Sequence, residues 1–168
     1  MRITELLLPE FDNEMTVTRR ILERVPDGKG EWKPHEKAFP MGHLAQLVAR
    51  LPSWVNMTLE QTEFDIAPPG GSGFPGYSFE STATLLALFD SNVKGARPVL
   101  ERATDEELMV PWTFKRAGQA LFTQPRYHML RGMVLNHIVH HRAQLGTYLR
   151  IIDEKVPQMY GPTADDRS

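Results

Sequence analysis

Residues 125–153 read PRYHMLRGMVLNHIVHHRAQLGTYLRIID and carry the strongest helical pattern of the chain. At about 100° per residue, an apolar stripe runs along this segment and is formed by Leu130, Val134, Leu145 and Tyr148. On the same projection His137 and His141 fall in the middle of that stripe. Pro125 suits the first position of a helix, and no further proline occurs before Pro157. The segment predicts a core helix with two imidazoles on its apolar face.

Three further segments show the same helical spacing, at about residues 3–25, 41–64 and 78–103. Pro52 lies inside the second and should kink or split it. Ser78 or Ser81 is placed to cap the third. Strand-like alternation of useful length is not found. We therefore predict an all-α, four-helix bundle, since four segments of this length can enclose one core.

Two breaks in the pattern divide these segments. The connection 101–124 is too long for a simple hairpin and predicts a long crossover, with a short helix around residues 105–108. Residues 65–76 are rich in proline and glycine and predict a loop, either a mobile rim of the site or a plain connector. This loop lacks the Gly-Lys-Ser/Thr ending of a phosphate-binding loop. We predict one domain over residues 1–168, in which residues 156–168 form a tail that packs through Met159 and Tyr160 and then frays.

Composition narrows the function classes. The chain has 168 residues, of which 41% are hydrophobic and 24% charged, and its net charge is −2. This balance argues against a nucleic-acid-binding protein, whose domain is normally basic. The absence of cysteine excludes disulfides, zinc fingers and cysteine nucleophiles, and favours a cytoplasmic protein. The longest apolar run, residues 85–89, is too short to cross a membrane.

The six histidines are the most informative residues. His137 and His141 lie four residues apart on one helix face, so they can reach a single metal ion. His43 lies on the apolar stripe of the second segment. The alternative is that all three are core histidines bonded to their neighbours. Ile138 stands where a zinc protease of the His-Glu-x-x-His type has its general base, which argues against that class.

Other side chains receive weaker predictions. Gln144 falls near the histidine face and predicts a hydrogen bond that orients a ligand. Trp54 and Tyr148 are expected in the core or the cavity wall. For Arg142 and Arg150 we expect solvated positions, with binding of a thiol cofactor's carboxylates as the alternative. Three histidines are expected away from the site or at its margin. These are His35 and His128, which we expect to be exposed, and His140, for which solvent, a dimer interface or replacement of His141 as ligand are open.

These features together resemble the DinB-like superfamily of four-helix-bundle proteins, also called DinB/YfiT-like metalloenzymes. The resemblance covers nearly the whole chain. It rests on five groups of residues in order: Trp32-Lys33-Pro34; Gly42-His43-Leu44 ahead of Trp54; Asn136 to Gln144; Tyr148-Leu149-Arg150; and the tail Val156-Pro157 with Tyr160 to Asp165. Ala143 departs from the glycine that many relatives have at this position.

The resemblance implies a four-helix bundle with a long crossover, a frequent homodimer, and a metal held by three histidines. Matched residue by residue, these ligands are His43, His137 and His141. Zinc or nickel is the metal implied. Characterised relatives include S-transferases that use a low-molecular-weight thiol such as bacillithiol or mycothiol. The family name refers to DNA-damage induction and does not imply DNA binding.

The leading hypothesis is therefore a cytoplasmic metalloenzyme with an open three-histidine site that transfers a small thiol to a small electrophilic substrate. A coordinating metal deprotonates a thiol, which makes it nucleophilic. The first alternative is a hydrolase that uses a metal-bound hydroxide. The second is a non-catalytic, stress-related protein that binds a metal or ligand. The sequence assigns no catalytic residue beyond the ligands.

Overall fold

Helices make up most of the chain, and one small sheet accompanies them. The structure is a computed structural model that describes residues 1–71 and 76–167. The helices of this part are α1 (Ile3–Leu22), α2 (Met41–Arg50), α3 (Trp54–Glu60), α4 (Thr82–Arg102), α5 (Asp105–Met109), α6 (Arg126–Met129) and α7 (His137–Ile151). The strands are β1 (Glu63–Asp65), β2 (Pro111–Arg116) and β3 (Gln119–Pro125). The predicted loop over residues 65–76 falls partly outside this description, at residues 72–75.

The second helical segment is split at the predicted place. Leu51–Ser53 forms a 3-10 turn that contains Pro52 and separates α2 from α3. A proline has no N–H to donate and crowds the preceding turn, so the α-helix cannot continue through it. The segment also ends earlier than predicted, at Glu60, because residues 63–65 join the sheet.

Helix α4 is capped by one of the two serines, Ser78 and Ser81, that were predicted as candidates. The side chain of Ser81 accepts a hydrogen bond from the Thr84 N–H at 3.2 Å, and Thr84 Oγ1 accepts one from the Ser81 N–H at 3.1 Å. This reciprocal pair satisfies two backbone donors that the first helical turn leaves without partners. Ser81 is therefore the cap, and Ser78 is used elsewhere, at the functional site.

The last helical segment contains a π-helical stretch, Leu130–Asn136, between α6 and α7. The four residues of the predicted apolar stripe, Leu130, Val134, Leu145 and Tyr148, are all buried. The most deeply buried side chains of α7 form a face made of Ile138, Arg142, Leu145 and Leu149. The prediction that the histidines lie in the middle of the apolar face is therefore wrong for His137. His141 is buried, but His137 is only half-buried, at the edge of this face.

The long connection after α4 contains the predicted short helix, α5, and also strands that were not predicted. The sheet has the order β1-β2-β3, with β1 parallel to β2 and β2 antiparallel to β3. Two side chains of β2, Trp112 and Phe114, are buried in a small second core. An alternation with only two buried positions is too short to be recognised in the sequence. The all-α prediction is corrected to a mostly helical fold with a small sheet.

The helices enclose the main core. Helix α1 packs against α4 and α7, and α2 packs against the same two helices. Within residues 1–71 and 76–167, no helix combines the length and the apolar character that crossing a bilayer requires.

The C-terminal tail contacts the rest of the fold through one apolar side chain and one carboxylate. Met159 packs against the core, as expected. After Tyr160, Asp165 accepts hydrogen bonds from Arg150 and from the Val156 N–H, at 2.6 and 2.9 Å. A 3-10 turn, Ala164–Arg167, follows at the end of the described chain.

Candidate functional site

Helix α7 brings two of the three predicted ligands into direct contact. His137 is its first residue and His141 lies one turn later, so both rings project from the same side. Their Nε2 atoms are 2.8 Å apart, and the ring centroids are 4.5 Å apart. At this distance the two outer nitrogens share a hydrogen bond, so they face each other.

Gln144 determines which nitrogen of His141 carries the proton. Its side-chain oxygen lies 2.8 Å from Nδ1 of His141. An amide oxygen only accepts hydrogen bonds, so Nδ1 of the neutral ring must donate, and the lone pair is then on Nε2. Gln144 makes the contact predicted for it, while its role in supporting a metal ligand stays a prediction.

His137 is kept neutral by its surroundings. Burial lowers its pKa from the usual 6.5 to about 4, and the neighbouring His141 acts in the same direction. Its Nδ1 is buried, and no described atom meets full hydrogen-bond geometry with it. The backbone of Met133 gives a weaker interaction that favours the protonated ring without overcoming burial. The pKa of His141 is also lowered, mainly by burial. Both imidazoles are therefore uncharged near neutral pH and able to act as ligands.

His43 lies in the first turn of α2 and is held between two aromatic rings. The ring of Phe39 stacks on one face at 4.3 Å between centroids and an interplanar angle of 13°. The ring of Tyr77 stacks on His43 at 3.8 Å and 20°. Burial lowers the pKa of His43, and the charge of Arg50 and that of a protonated His141 act in the same direction. His43 is thus near enough to His141 to interact with it electrostatically.

The segment that carries Tyr77 is fastened to α2. The Ser78 N–H donates to Oε1 of Gln46 at 2.7 Å, and Nε2 of Gln46 donates back to the Ser78 carbonyl. One helical turn further, Nη2 of Arg50 donates to the carbonyl of Gly76 at 3.0 Å, and its guanidinium lies 4.8 Å from the centre of the Tyr77 ring. Side chains from two successive turns of α2 therefore hold this segment over His43.

Two predicted aromatic residues form walls beside the histidines. Trp54 is buried and meets His137 edge to face, with centroids 5.8 Å apart. Tyr148 is buried, packs edge to face on Trp32 at 5.6 Å, and donates its hydroxyl proton to the Phe39 carbonyl at 3.2 Å. Both residues therefore border the space around the histidines, Trp54 directly and Tyr148 through Phe39.

The prediction of a solvated position is wrong for Arg142. Its side chain is one of the most buried, at 1% exposure. Its guanidinium pairs with Oε2 of Glu14 at 2.7 Å and donates to Thr18 Oγ1 at 3.1 Å. It also donates to the hydroxyl of Tyr160. It thus ties α7 to α1 and the tail rather than lining the histidine site. Arg150 is exposed, as expected, and pairs with Asp165.

The remaining histidines are exposed. His35 and His128 are exposed as predicted. His140 is exposed, and its ring lies edge to face against His141 at 4.8 Å. Over residues 1–71 and 76–167, no three side chains of His, Asp or Glu are grouped as a set of metal ligands. The structure thus brings His137 and His141 together but does not gather His43 with them into such a set.

Phe39, Gln46 and Tyr77 were missed by the sequence analysis. Phe39 stands two residues before α2 and Tyr77 just after the proline- and glycine-rich loop, and neither carries a helical or strand pattern. An aromatic residue that ends a glycine-rich loop was the available signal, since such loops form the rims of sites. The π-helical stretch just before His137 was also missed, although such stretches occur frequently at functional sites.

Comparisons with known proteins support the fold. The chain matches no protein-family model, and no curated protein matches it. A DinB-like protein from Bacillus cereus has a similar crystal structure, with a TM-score of 0.72 and 18% identity, over 95% of this chain and 98% of that one. The DinB-like protein YjoA from Bacillus subtilis matches with a TM-score of 0.68 and 17% identity, over 92% and 97%. The resemblance found in the sequence is therefore confirmed for the fold, and the fold of this chain is that of the DinB-like proteins.

Proposed function

We propose that this protein binds a divalent metal ion, zinc or nickel, through His137, His141 and His43, and uses it to transfer a low-molecular-weight thiol to a small electrophile. The observation that carries the proposal is the pair of Nε2 atoms 2.8 Å apart at one turn of α7. The fold likeness supports the resemblance from which the three-ligand set was taken.

The donor pair fits such an ion. Zinc–nitrogen bonds are about 2.0–2.1 Å long, so two nitrogens on one tetrahedral ion lie about 3.3 Å apart. The observed separation needs only a small change in side-chain torsions to reach this value. The lone pair of His141 is on Nε2, the nitrogen that faces His137, because Nδ1 donates its proton to Gln144.

The environment of the site suits reaction with a thiol. Every proposed ligand is a neutral imidazole, so none of them cancels the charge of a bound cation. When bound, a divalent ion lowers the pKa of a thiol beside it, which is the chemistry that thiol transfer requires. Trp54 and the rings on His43 cover part of the surface of the histidines, and this partial shielding from water strengthens electrostatic interactions there.

Three further expectations belong to this proposal. We propose that the four helical segments form a four-helix bundle in which the connection from α4 to α6 is the long crossover. We propose that the protein forms a homodimer in the cytoplasm and acts on a small molecule. His43 is proposed as the third ligand because the resemblance assigns it this role and its helix, α2, packs against α7.

Metal content and affinity test the proposal. Untagged protein purified without chelators is analysed by inductively coupled plasma mass spectrometry, and zinc and nickel affinities are measured by calorimetry. We expect one equivalent of metal per chain in the wild type and in His128→Ala, which removes an exposed histidine. We expect His141→Ala and His43→Ala to lose it. Failure of the wild type to bind either metal would reject the proposal.

The Gln144 contact gives a finer prediction. Gln144→Leu removes the acceptor for Nδ1 of His141 while preserving the approximate size of the side chain. Loss of such a supporting hydrogen bond typically weakens metal affinity about 10–100-fold. We expect a loss in this range by calorimetry, with Gln144→Glu retaining affinity because it keeps an acceptor. Equal affinities for the leucine variant and the wild type would show that Gln144 does not support a ligand.

Activity assays separate the candidate reactions. Metal-loaded protein is incubated with alkyl and aryl electrophiles, esters and amides, with and without added small thiols. Thiol-dependent turnover is expected. Turnover of esters or amides without thiol would identify a hydrolase instead. Metal binding with no turnover of any substrate would favour a non-catalytic binding protein.

A further inference from the structure

We infer that Phe39 and Tyr77 are positioning residues that fix the imidazole of His43 for ligand binding. This inference rests on the proposed function, because it assigns His43 the role of a metal ligand. It concerns two residues that carry no metal-binding group of their own and act only through the ring between them.

The geometry restricts the ring of His43. Phe39 and Tyr77 both lie nearly parallel to it, at interplanar angles of 13° and 20°. Rotation about the Cβ–Cγ bond would drive the imidazole edge into one of these rings. The stacked rings leave the edge of the imidazole, where its nitrogens lie, to make bonds. A ligand held in this way loses less rotational freedom when it binds, which favours binding.

The two stacking rings are anchored independently. The backbone of Phe39 is held from α7 through the Tyr148 hydroxyl. The backbone beside Tyr77 is held from α2 through the reciprocal pair of Gln46 and Ser78, and through Arg50. An incidental ring contact would not require hydrogen bonds from two helices. Phe39 and Tyr77 therefore form an anchored aromatic clamp around His43.

Gly42 shows how closely the segment that carries Tyr77 packs against α2. A Cβ placed on Gly42 would lie 2.4 Å from Cβ of Phe79, which is closer than side chains can pack. The segment after the loop therefore rests directly on the helix backbone beside His43. This contact fixes the height of Tyr77 above the imidazole, and it explains the need for glycine immediately before the histidine.

The first test compares metal affinity among matched variants. We expect Tyr77→Ala to weaken zinc affinity about tenfold, because one stacked ring is lost. Tyr77→Phe should restore wild-type affinity, since it keeps the ring. Phe122→Ala removes a partly exposed ring that stacks on Phe114 in the sheet, and it should have no effect. With cobalt as a spectroscopic probe, Tyr77→Ala should change the visible absorption bands, which report ligand geometry. Unchanged affinity and bands in Tyr77→Ala would overturn the inference.

The second test needs no metal. In histidine-labelled protein, the carbon-bound ring protons of His43 should resonate upfield in NMR spectra, because they lie over two aromatic rings. We expect Tyr77→Ala to shift them downfield and to increase ring mobility in relaxation measurements, with Tyr77→Phe unchanged. If the wild type binds no metal, the proposed function fails, and the NMR result alone decides whether the clamp exists. Absence of upfield shifts in the wild type would reject the clamp itself.

Discussion

At the scale of single residues, the chemistry of this protein depends on histidines that are kept neutral. Desolvation disfavours the charged form of an imidazole, and this is the main cause of the lowered pKa values of His43, His137 and His141. A neutral ring retains the lone pair that a metal needs. The same burial destabilises the folded state at low pH, because the unfolded chain accepts a proton on these histidines more readily than the folded chain does.

This difference predicts how stability changes with pH in the metal-free protein. The pKa of His137 is about 4 in the folded state and returns to its ordinary value of 6.5 on unfolding. Its contribution is therefore fully present above about pH 6.5 and is lost as the pH falls to about 4. Urea denaturation of the wild type should show this decrease in the free energy of unfolding.

His137→Gln should show a shallower dependence over the same pH range, because glutamine does not titrate. His128→Gln, at an exposed position, should match the wild type. Identical slopes for all three proteins would contradict a lowered pKa of His137.

At the scale of elements, α2 organises the site. Its first turn carries Gly42 and His43, and its following turns carry Gln46 and Arg50, which hold the segment bearing Tyr77. Pro52 ends the helix directly after these residues, so all of them lie on one regular stretch. A small distortion at the start of α2 should therefore affect both folding and the histidine.

Two glycine substitutions test this. Gly42→Ala forces a methyl group against Phe79, and overpacking of this kind destabilises by about 1–3 kcal/mol. Gly95→Ala, in the middle of α4, meets open space and should stabilise by about 0.5–1 kcal/mol, because alanine loses less backbone entropy in a helix. Urea denaturation measures both effects. Stabilisation by both substitutions would show that Phe79 yields to the added methyl group.

At the scale of the whole molecule, a buried ion pair joins the first helix, the last helix and the tail. Arg142 and Glu14 are both almost fully buried, and Glu14 also accepts a hydrogen bond from the Tyr160 hydroxyl at 2.8 Å. A buried charge without its partner is costly, whereas a solvated one is not. The pair therefore links correct docking of the tail to the packing of α1 against α7.

Two matched substitutions on α1 compare the buried ion pair with a more exposed one. Glu14→Ala leaves the buried guanidinium without its carboxylate and should destabilise by about 3–5 kcal/mol. Asp12→Ala removes the carboxylate that pairs with the more exposed Arg97, and it should change stability by about 0–1 kcal/mol. Urea denaturation gives both values, and limited proteolysis should cut the tail faster in Glu14→Ala only. Similar losses for the two variants would contradict a special role for the buried pair.

Much of the fold could be predicted because helical periodicity is a local property. Ile3, Thr82 and Arg126 begin helices within four residues of the predicted positions, and the break at Pro52 follows from proline's own geometry. The sheet could not be predicted in this way. Strand β1 has only three residues, and it pairs with β2, which lies about 50 residues later in the chain. The contacts that stabilise β1 therefore cannot be recognised from a short stretch of sequence.

The sequence by itself determined the helical segments, the proline break and the spacing that lets His137 and His141 meet, because one helical turn sets that distance. Only the tertiary structure decided that the most buried face of α7 includes Ile138 and Arg142 and leaves His137 at its edge. It also decided that Arg142 is an internal ion-pair partner and that Phe39 and Tyr77 enclose His43. These outcomes depend on contacts between residues far apart in the chain, and spacing along one segment carries no information about them.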